Sequence, residues 1–317
     1  VPCNFGIYMS AKRFKTITAN LQLTNTPPPA FRDPFWQVQL LLQAWNDNMA
    51  AQFLASWVLC LDESMSIWHN RWTCPGWVFC PRKPHPYGNE YHTLCCGLCG
   101  IVCALEIVMD KDSPPELPLE FNNLGKTVGL MLCCLCSYFM FGKYVVLDSG
   151  FCILKGIIEL KKHGVYTCAL IKKHRFWPTM VPGNEIDHHM KESAVGTCEA
   201  VKGEMDGVHY NLWCMKEREY TMKMMAMGGK LLSDDTCRET SRTWKEAGVD
   251  VTKRFWYFFP YHWHFKYRHA VDDHNNQPHL LPSWEDTWVT QRWELRVLAF
   301  VIAVCEVNAY LAICFAE

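Results

Sequence analysis

Two aspartates each follow an apolar run that predicts a buried strand. Asp148 follows residues 144–147, and Asp62 follows residues 57–61. Adjacent strand ends bring side chains that are far apart in sequence within a few ångströms of each other, and carboxylates placed in this way hold divalent cations. A pair of bound cations supports the cleavage of phosphodiester bonds and the transfer of nucleic-acid strands. Nucleic-acid strand cleavage or transfer is therefore the leading interpretation.

The composition predicts a folded chain with no overall attraction to polyanions. The 317 residues are enough for one large or two medium domains, and a hydrophobic content of 50% with 14% aromatic residues supplies their cores. The formal net charge is −1 at pH 7. Any contact with DNA must therefore come from local basic clusters.

The order of strands and helices predicts the fold class. We expect helices within residues 1–56, strands at 58–64, 92–99 and 101–109, a helix at 126–139, a strand at 144–148, a helix at 151–162 and a strand at 165–171. Three strands, a crossover helix and an acid-tipped strand follow each other in the order of a ribonuclease-H-like mixed sheet. The predicted class is therefore α/β, with helical segments flanking this core.

The remaining residues predict an insertion and a helical end. Glycine and proline residues recur throughout 176–260 and separate short segments. This pattern favours an inserted, mostly β module that follows the first part of the core at 57–175. A core helix is expected within 261–279. Residues 280–317 again read as helical, and we expect them to pack with the segment 1–56 because each apolar face needs a partner.

The cysteines predict free thiols rather than a disulfide or zinc framework. The chain has 18 cysteines, which stand singly or within apolar runs. Buried thiols in a reducing compartment explain this pattern best. Cys96 and Cys99 have the spacing of metal ligands, but no second pair stands at a matching distance. No zinc is expected within this chain.

Two apolar runs resemble membrane spans in composition only. Residues 128–141 are too few to cross a bilayer, and residues 297–315 carry Glu306 and Asn308 in their interior. We therefore expect no membrane partner.

Five sequence blocks, in order, resemble those of piggyBac-type transposases, including transposase-derived proteins of oomycetes and algae. The blocks are residues 62–65, 81–90, 146–151 and 171–173, and Tyr267 with Val271 and Asp272. The sequence of residues 307–310 also resembles the helical close of that family. The resemblance spans nearly the whole chain.

The resemblance implies a DDE recombinase whose three aspartates bind two Mg²⁺ or Mn²⁺ ions. Carried onto this chain, they are Asp62, Asp148 and Asp272, although the neighbouring Asp273 is an alternative for the third. Family members often have another acid three residues after the third aspartate, and this chain has Asn275 there, a weaker oxygen ligand. The resemblance also implies a nuclear homodimer that cuts transposon ends and joins them at TTAA sequences.

Basic residues near these acids are candidates for DNA contact. One group follows the first acid, and the other follows the last predicted core strand: Arg71, Arg82 and Lys83, then Lys172, Lys173 and Arg175. Such clusters suit phosphate contacts, and each is equally consistent with a solvated surface.

The sequence leaves activity open. Asp62 and Asp148 are also suited to cap the elements that follow them. Members of the resembling family have a charged stretch in the crossover helix, and apolar residues replace it here. Such a replacement is expected in a transposase copy that has lost its activity. The alternatives are a catalytically inactive, domesticated DNA-binding or scaffold protein, and a metal-dependent nuclease without transposition.

Overall fold

A computed structural model describes residues 5–29, 33–83, 85–109, 117–171, 183–227, 237–277 and 284–316. The helices are α1 (Ala11–Asn20), α2 (Trp36–Gln52), α3 (Lys126–Cys136), α4 (Leu154–Lys162), α5 (Gly183–Met190), α6 (Phe259–Tyr267), α7 (Ala270–Asn276), α8 (Trp284–Thr287) and α9 (Trp293–Ala316). The strands are β1 (Val58–Ile67), β2 (Trp77–Phe79), β3 (Tyr87–Cys96), β4 (Val102–Ile107), β5 (Tyr144–Leu147), β6 (Tyr166–Leu170), β7 (Cys198–Met205), β8 (Val208–Lys216), β9 (Thr221–Ala226), β10 (Cys237–Glu246) and β11 (Val249–Phe258).

Nine of these strands form one mixed sheet. Their order is β2-β3-β1-β5-β6-β9-β8-β7, with β4 also paired to β3. The pairs β1–β5 and β5–β6 are parallel, and the other pairs are antiparallel. The α/β prediction is confirmed. The segment expected as an inserted β module supplies β7, β8 and β9 to this sheet through the β6–β9 pair, while β10 and β11 form a separate hairpin.

Helices cover both faces of the sheet because its central strands are apolar on both sides. Leu59 and Leu61 of β1 pack with α3 and α4 on one face. Cys60 of the same strand points to the opposite face, where it packs with α2, α7 and α9. Side chains alternate between faces along a strand, so Asp62 lies on the face of Cys60 and α7.

Asparagine side chains from two helices pair with the outer edge of β4. Asn46 of α2 accepts from the Leu105 N–H at 2.9 Å and donates to the Leu105 carbonyl at 3.0 Å. Asn308 of α9 makes the same pair of bonds with Val102, at 2.8 and 3.0 Å. These amides satisfy backbone groups that a further strand would otherwise pair with, so helices from both ends of the chain close this edge.

The two helical ends also contact each other directly. Phe35 packs edge-on against Trp293, with ring centroids 6.0 Å apart. Trp45 Nε1 donates to Cys305 Sγ at 3.3 Å. Both segments also pack on the sheet through a shared apolar cluster. The division of the chain into domains at 1–56, 57–175, 176–260, 261–279 and 280–317 stays a prediction.

Several element boundaries differ from those expected. β1 continues to Ile67 because it remains paired with β3 as far as Gly88, so Asp62 lies inside the strand rather than at its end. The C-terminal pattern divides into α8 and α9. Helix α9 is long and apolar enough to span a membrane, and 44% of its most apolar stretch is buried within the fold. The first part of α9 packs on the sheet, while Tyr310, Ile313 and Phe315 near its end are exposed.

Candidate active site

Asp62 and Asp148 are neighbours across two parallel strands. Leu61 of β1 is in register with Leu147, the last residue of β5, and the Asp148 N–H donates to the Leu61 carbonyl at 3.1 Å. Beyond this point β5 has ended while β1 continues. The site therefore lies in the opening beside β1, at the carboxyl end of β5.

The carboxylate of Asp148 also shapes the turn that follows it. Its Oδ2 accepts from the Ser149 hydroxyl at 3.3 Å and from the Gly150 N–H at 3.4 Å. These bonds initiate the single helical turn Ser149–Phe151. The capping role considered for Asp148 is thus present, and it uses Oδ2.

The environment of Asp62 strongly changes the pKa of its carboxyl group. Burial, followed by repulsion from Asp148, raises its pKa from 3.8 to about 7. Asp272 raises this pKa further, while the hydrogen bond from the Glu63 N–H, 2.7 Å from Asp62 Oδ1, and the charge of Lys83 lower it. The three acids predicted from the sequence therefore interact electrostatically, although they are far apart along the chain.

The structure distinguishes Asp272 from Asp273. Asp272 lies on α7 at the side of Lys83, with its Oδ1 4.0 Å from Lys83 Nζ and its Oδ2 3.8 Å from His269 Nδ1. Asp273 lines a different pocket, together with Lys266 and Cys99. The geometry therefore favours Asp272 as the partner of Asp62 and Asp148.

Asn275 ties α7 to the sheet. Its Oδ1 accepts from the Ser64 hydroxyl at 2.9 Å, and Ser64 in turn accepts from the Thr93 hydroxyl at 2.8 Å. This pair of hydrogen bonds joins α7, β1 and β3, and it fixes the helix that carries Asp272. Sequence reasoning gave Ser64 no role, although it lies in the block 62–65, and it missed Thr93. Both are polar at strand positions facing the same side as Asp62.

Lys83 brings a positive charge to the acids. Its Nζ donates to the Glu63 carbonyl at 2.9 Å, on the open side of β1. The exposed Arg82 lies near enough to lower the pKa of Glu90, which burial and then Glu63 raise to about 7. Glu63 and Glu90 thus form a second acidic pair, which the sequence did not reveal.

The structure describes only one of the other predicted DNA-binding residues. Arg71 is exposed in the turn after β1, with its guanidinium 4.2 Å from the centre of the Trp72 ring. Lys172, Lys173 and Arg175 lie outside the described residues. Their roles, and those of the other site residues, stay predictions.

The three acids have the chemistry that divalent cations require, but their side chains are not placed as a complete set of metal ligands. Within the described ranges, no group of three His, Cys, Asp or Glu side chains is placed to hold a metal ion. The donors are nonetheless hard oxygen atoms, which Mg²⁺ and Mn²⁺ prefer. The mutual repulsion that raises the pKa of Asp62 is what bound cations would relieve.

Comparisons with known proteins identify the family and the fold. The family described as Transposase IS4 matches residues 4–310. The fold is similar to that of the piggyBac transposase in its cryo-electron microscopy synaptic complex with hairpin DNA, with a TM-score of 0.71 and 14% sequence identity. That similarity covers 96% of this chain and 57% of the other, so this chain spans little more than half the length of its structural relative. No curated protein sequence matches the chain. The family match over nearly all residues confirms the resemblance seen in the sequence, and the chain belongs to the Transposase IS4 family.

Proposed function

We propose that this transposase-derived chain is a DDE-type enzyme that cleaves and transfers DNA strands at TTAA sites with two bound Mg²⁺ or Mn²⁺ ions. The observation that carries the proposal is the neighbouring placement of Asp62 and Asp148, with Asp272 close enough to repel Asp62. These three carboxylates would hold the cations. When bound, the cations activate the attacking hydroxyl group and stabilise the leaving 3′-oxygen.

The fold that supports this chemistry is a ribonuclease-H-like core. Its support is the sheet order β4-β3-β1-β5-β6, in which β1 is antiparallel to β3 and parallel to β5. This sheet order brings Asp62 on β1 next to Asp148, which directly follows β5, while α7 carries Asp272 from beyond the β7–β11 segment of the chain.

The chain's own residues would position the DNA and the acids. Lys83 lies beside Asp272 and has an exposed neighbour in Arg82, so this loop would meet the phosphate backbone at the mouth of the site. Ser64 and Asn275 hold α7 on β1. A homodimer acting in the nucleus is part of the same proposal, by analogy with the family.

A catalytically inactive DNA-binding or scaffold protein is the second candidate. Lys83 and His269 lie beside Asp272, and Asn275 Oδ1 is engaged by Ser64. A site in which a lysine already offsets the charge of one acid, and a serine engages the oxygen of a further candidate ligand, binds cations more weakly. This observation favours weak turnover over rapid turnover.

Nicking and joining of TTAA-flanked DNA in the presence of Mg²⁺ tests the proposal. Asp148→Asn and Asp272→Asn should abolish metal-dependent cleavage, because each removes a ligand charge with little change in side-chain volume. Asp273→Asn is the matched control, since Asp273 lines a different pocket, and it should retain activity. Equal activity of Asp148→Asn and the unmodified chain would exclude the proposed site. A complete absence of cleavage by the unmodified chain, with DNA binding retained, would favour the inactive binder.

A further inference from the structure

Three aromatic side chains stack beside one another at the outer edge of the sheet. Trp77 and Phe79 lie on β2, the strand at the end of the sheet order, and Tyr87 begins β3. The Phe79 and Tyr87 ring centroids are 5.1 Å apart with an interplanar angle of 16°, and those of Trp77 and Tyr87 are 6.0 Å apart at 22°. The three rings therefore form one nearly parallel set, which we call the aromatic shelf.

Hydrogen bonds and one glycine hold the aromatic shelf in place. Trp77 Nε1 donates to the Trp68 carbonyl at 2.7 Å, and the Trp68 N–H donates to the Tyr87 carbonyl at 2.9 Å. Gly88 follows Tyr87 with φ at +143°, and a Cβ atom there would lie 1.8 Å from the Ser66 carbonyl oxygen. Only glycine lets the backbone beside Tyr87 approach β1 this closely.

The aromatic shelf is in contact with solvent, on the same face of the sheet as Asp62. Phe79 is 54% exposed and Tyr87 is 38% exposed. The register pairs Asp62 with Thr93 of β3 and Phe79 with Tyr87, so the shelf lies about 20 Å along β3 from the first acid. Large apolar rings that are fixed and exposed are a surface on which another planar group stacks.

The segment that carries the aromatic shelf is basic. Residues 68–89 contain three Arg or Lys residues and no Asp or Glu, in a chain whose formal net charge is −1. The next acid along the chain, Glu90, lies on the opposite face of β3 from Tyr87 because side chains alternate along a strand. The basic residues are Arg71, Arg82 and Lys83. The shelf therefore has a local positive charge that suits a polyanion.

The two exposed arginines border the aromatic shelf. Arg71 lies in the same turn as His69, whose ring centroid is 6.0 Å from that of Tyr87. Arg82 lies in the turn between β2 and β3, where the Cys80 N–H donates to the Pro86 carbonyl at 2.8 Å. Cations beside aromatic planes bind single-stranded nucleic acid, because its phosphates meet the cations while its bases stack on the rings.

We propose that the aromatic shelf binds the unpaired bases of a DNA strand, whose phosphates contact Arg71 and Arg82. Bases in a duplex are already stacked on their neighbours, so the shelf selects strands that are unpaired. The positive charge favours this polyanion over a proline-rich peptide, which is another ligand of aromatic surfaces. The choice of DNA rests on the function proposed above, but the shelf needs neither bound cations nor cleavage.

Binding measured in EDTA tests the aromatic shelf separately from catalysis. The unmodified chain is titrated into a fluorescently labelled oligothymidine, the same strand paired with its complement, and a strand of equal length that lacks bases. Fluorescence anisotropy should show binding of the unpaired oligothymidine roughly tenfold tighter than binding of the strand without bases. Equal binding of these two strands would show recognition of phosphates alone and would overturn the proposal. Tighter binding of an oligouridine RNA would overturn the assignment to DNA.

Photocrosslinking locates the contact in the unmodified chain. A strand that carries iodouracil is irradiated in the complex, and the crosslinked peptides are identified by mass spectrometry. We expect the crosslinks at Phe79 or Tyr87. Crosslinks confined to other parts of the chain, or displacement of the strand by a proline-rich peptide, would overturn the proposal.

A pair of matched variants completes the test. Phe79→Ala removes the more exposed ring and should weaken binding of the unpaired strand roughly tenfold without changing its salt dependence. Phe141→Ala is the control, because Phe141 is 84% exposed and precedes the start of β5, and it should bind as the unmodified chain does. Circular dichroism checks that both variants are folded.

The outcomes separate the aromatic shelf from the acids. Unchanged binding by folded Phe79→Ala would overturn the shelf. A chain that binds the unpaired strand through Phe79 in EDTA, but does not cleave DNA in Mg²⁺, would support the shelf and contradict the enzyme proposed above.

Discussion

At the level of single residues, the protonation of Asp62 links stability to pH. Its pKa is 3.8 in an ordinary environment and about 7 in the folded chain. Folding therefore penalises the charged form, so this residue costs no stability below pH 3.8 and costs progressively more as the pH rises to 7. Cations bound to the acids would reverse this penalty.

We expect Asp62→Asn to stabilise the metal-free chain above pH 7. The amide retains the acceptor for the Glu63 N–H and removes the charge, so the free energy of unfolding at pH 8 should rise by on the order of 1–3 kcal/mol. At pH 4 the change should be small. Urea unfolding in the presence of EDTA measures both values, with Asp273→Asn as the control. Destabilisation at pH 8 would show that Asp62 is not held among repelling acids.

Lys83 should hold the pKa of Asp62 below the value that burial and the other acids would give. Its charge lowers that pKa, so Lys83→Met should raise it further. Carbon-13 NMR titration of labelled aspartate measures the shift. Arg82→Met is the matched control, because Arg82 is exposed and acts on Glu90 instead. An unchanged or lower pKa in Lys83→Met would place the charge of Lys83 outside the site.

The sequence predicted the positions of these acids only in part. Apolar runs were enough to predict the strand that carries Asp62 and the strand that precedes Asp148, because such runs are buried in any mixed sheet. The runs gave the wrong end for β1, since the end of that strand depends on its pairing with β3. The bond between Ser64 and Asn275 joins residues 211 positions apart, and no local pattern indicates it.

At the level of elements, Asn308 is a buried polar link of helix α9. It pairs with both backbone groups of Val102, and its Oδ1 lies 3.2 Å from His274 Nε2 on α7. One amide therefore joins α9 to β4 and to the helix that carries Asp272. The sequence indicated that Asn308 was unusual within an apolar run, but not which backbone it would meet.

Asn308→Leu should destabilise the chain although it makes α9 more apolar. Leucine leaves the Val102 N–H and carbonyl buried without partners, which costs about 2–4 kcal/mol. Urea unfolding followed by tryptophan fluorescence measures the loss. Glu306→Ala, a change at an exposed position of the same helix, is the control and should alter stability little. Equal stability of Asn308→Leu and the unmodified chain would show that water or another group satisfies Val102.

At the level of the whole molecule, the fold assembles the acids from distant parts of the chain. Asp62 lies on β1 and Asp148 directly follows the neighbouring strand β5, while Asp272 lies on a helix beyond the β7–β11 segment. Asn46 and Asn308 close one edge of that sheet with helices from both ends of the chain. The site therefore exists only in the folded chain, and a cation that binds it must stabilise the fold.

We expect Mg²⁺ to raise the free energy of unfolding at pH 8, where Asp62 is charged. For one site, the gain is about 2.7 kcal/mol at a free concentration one hundred times the dissociation constant. The gain should shrink as the pH falls below 7, because protons then compete for Asp62. Thermal unfolding in a series of Mg²⁺ concentrations measures it, with Ca²⁺ as a second oxygen-seeking ion. Asp148→Asn and Asp272→Asn should each abolish most of the gain, while Asp273→Asn should keep it. A gain that survives in Asp148→Asn would mean that the cation binds elsewhere, and the three acids would then have only a structural role.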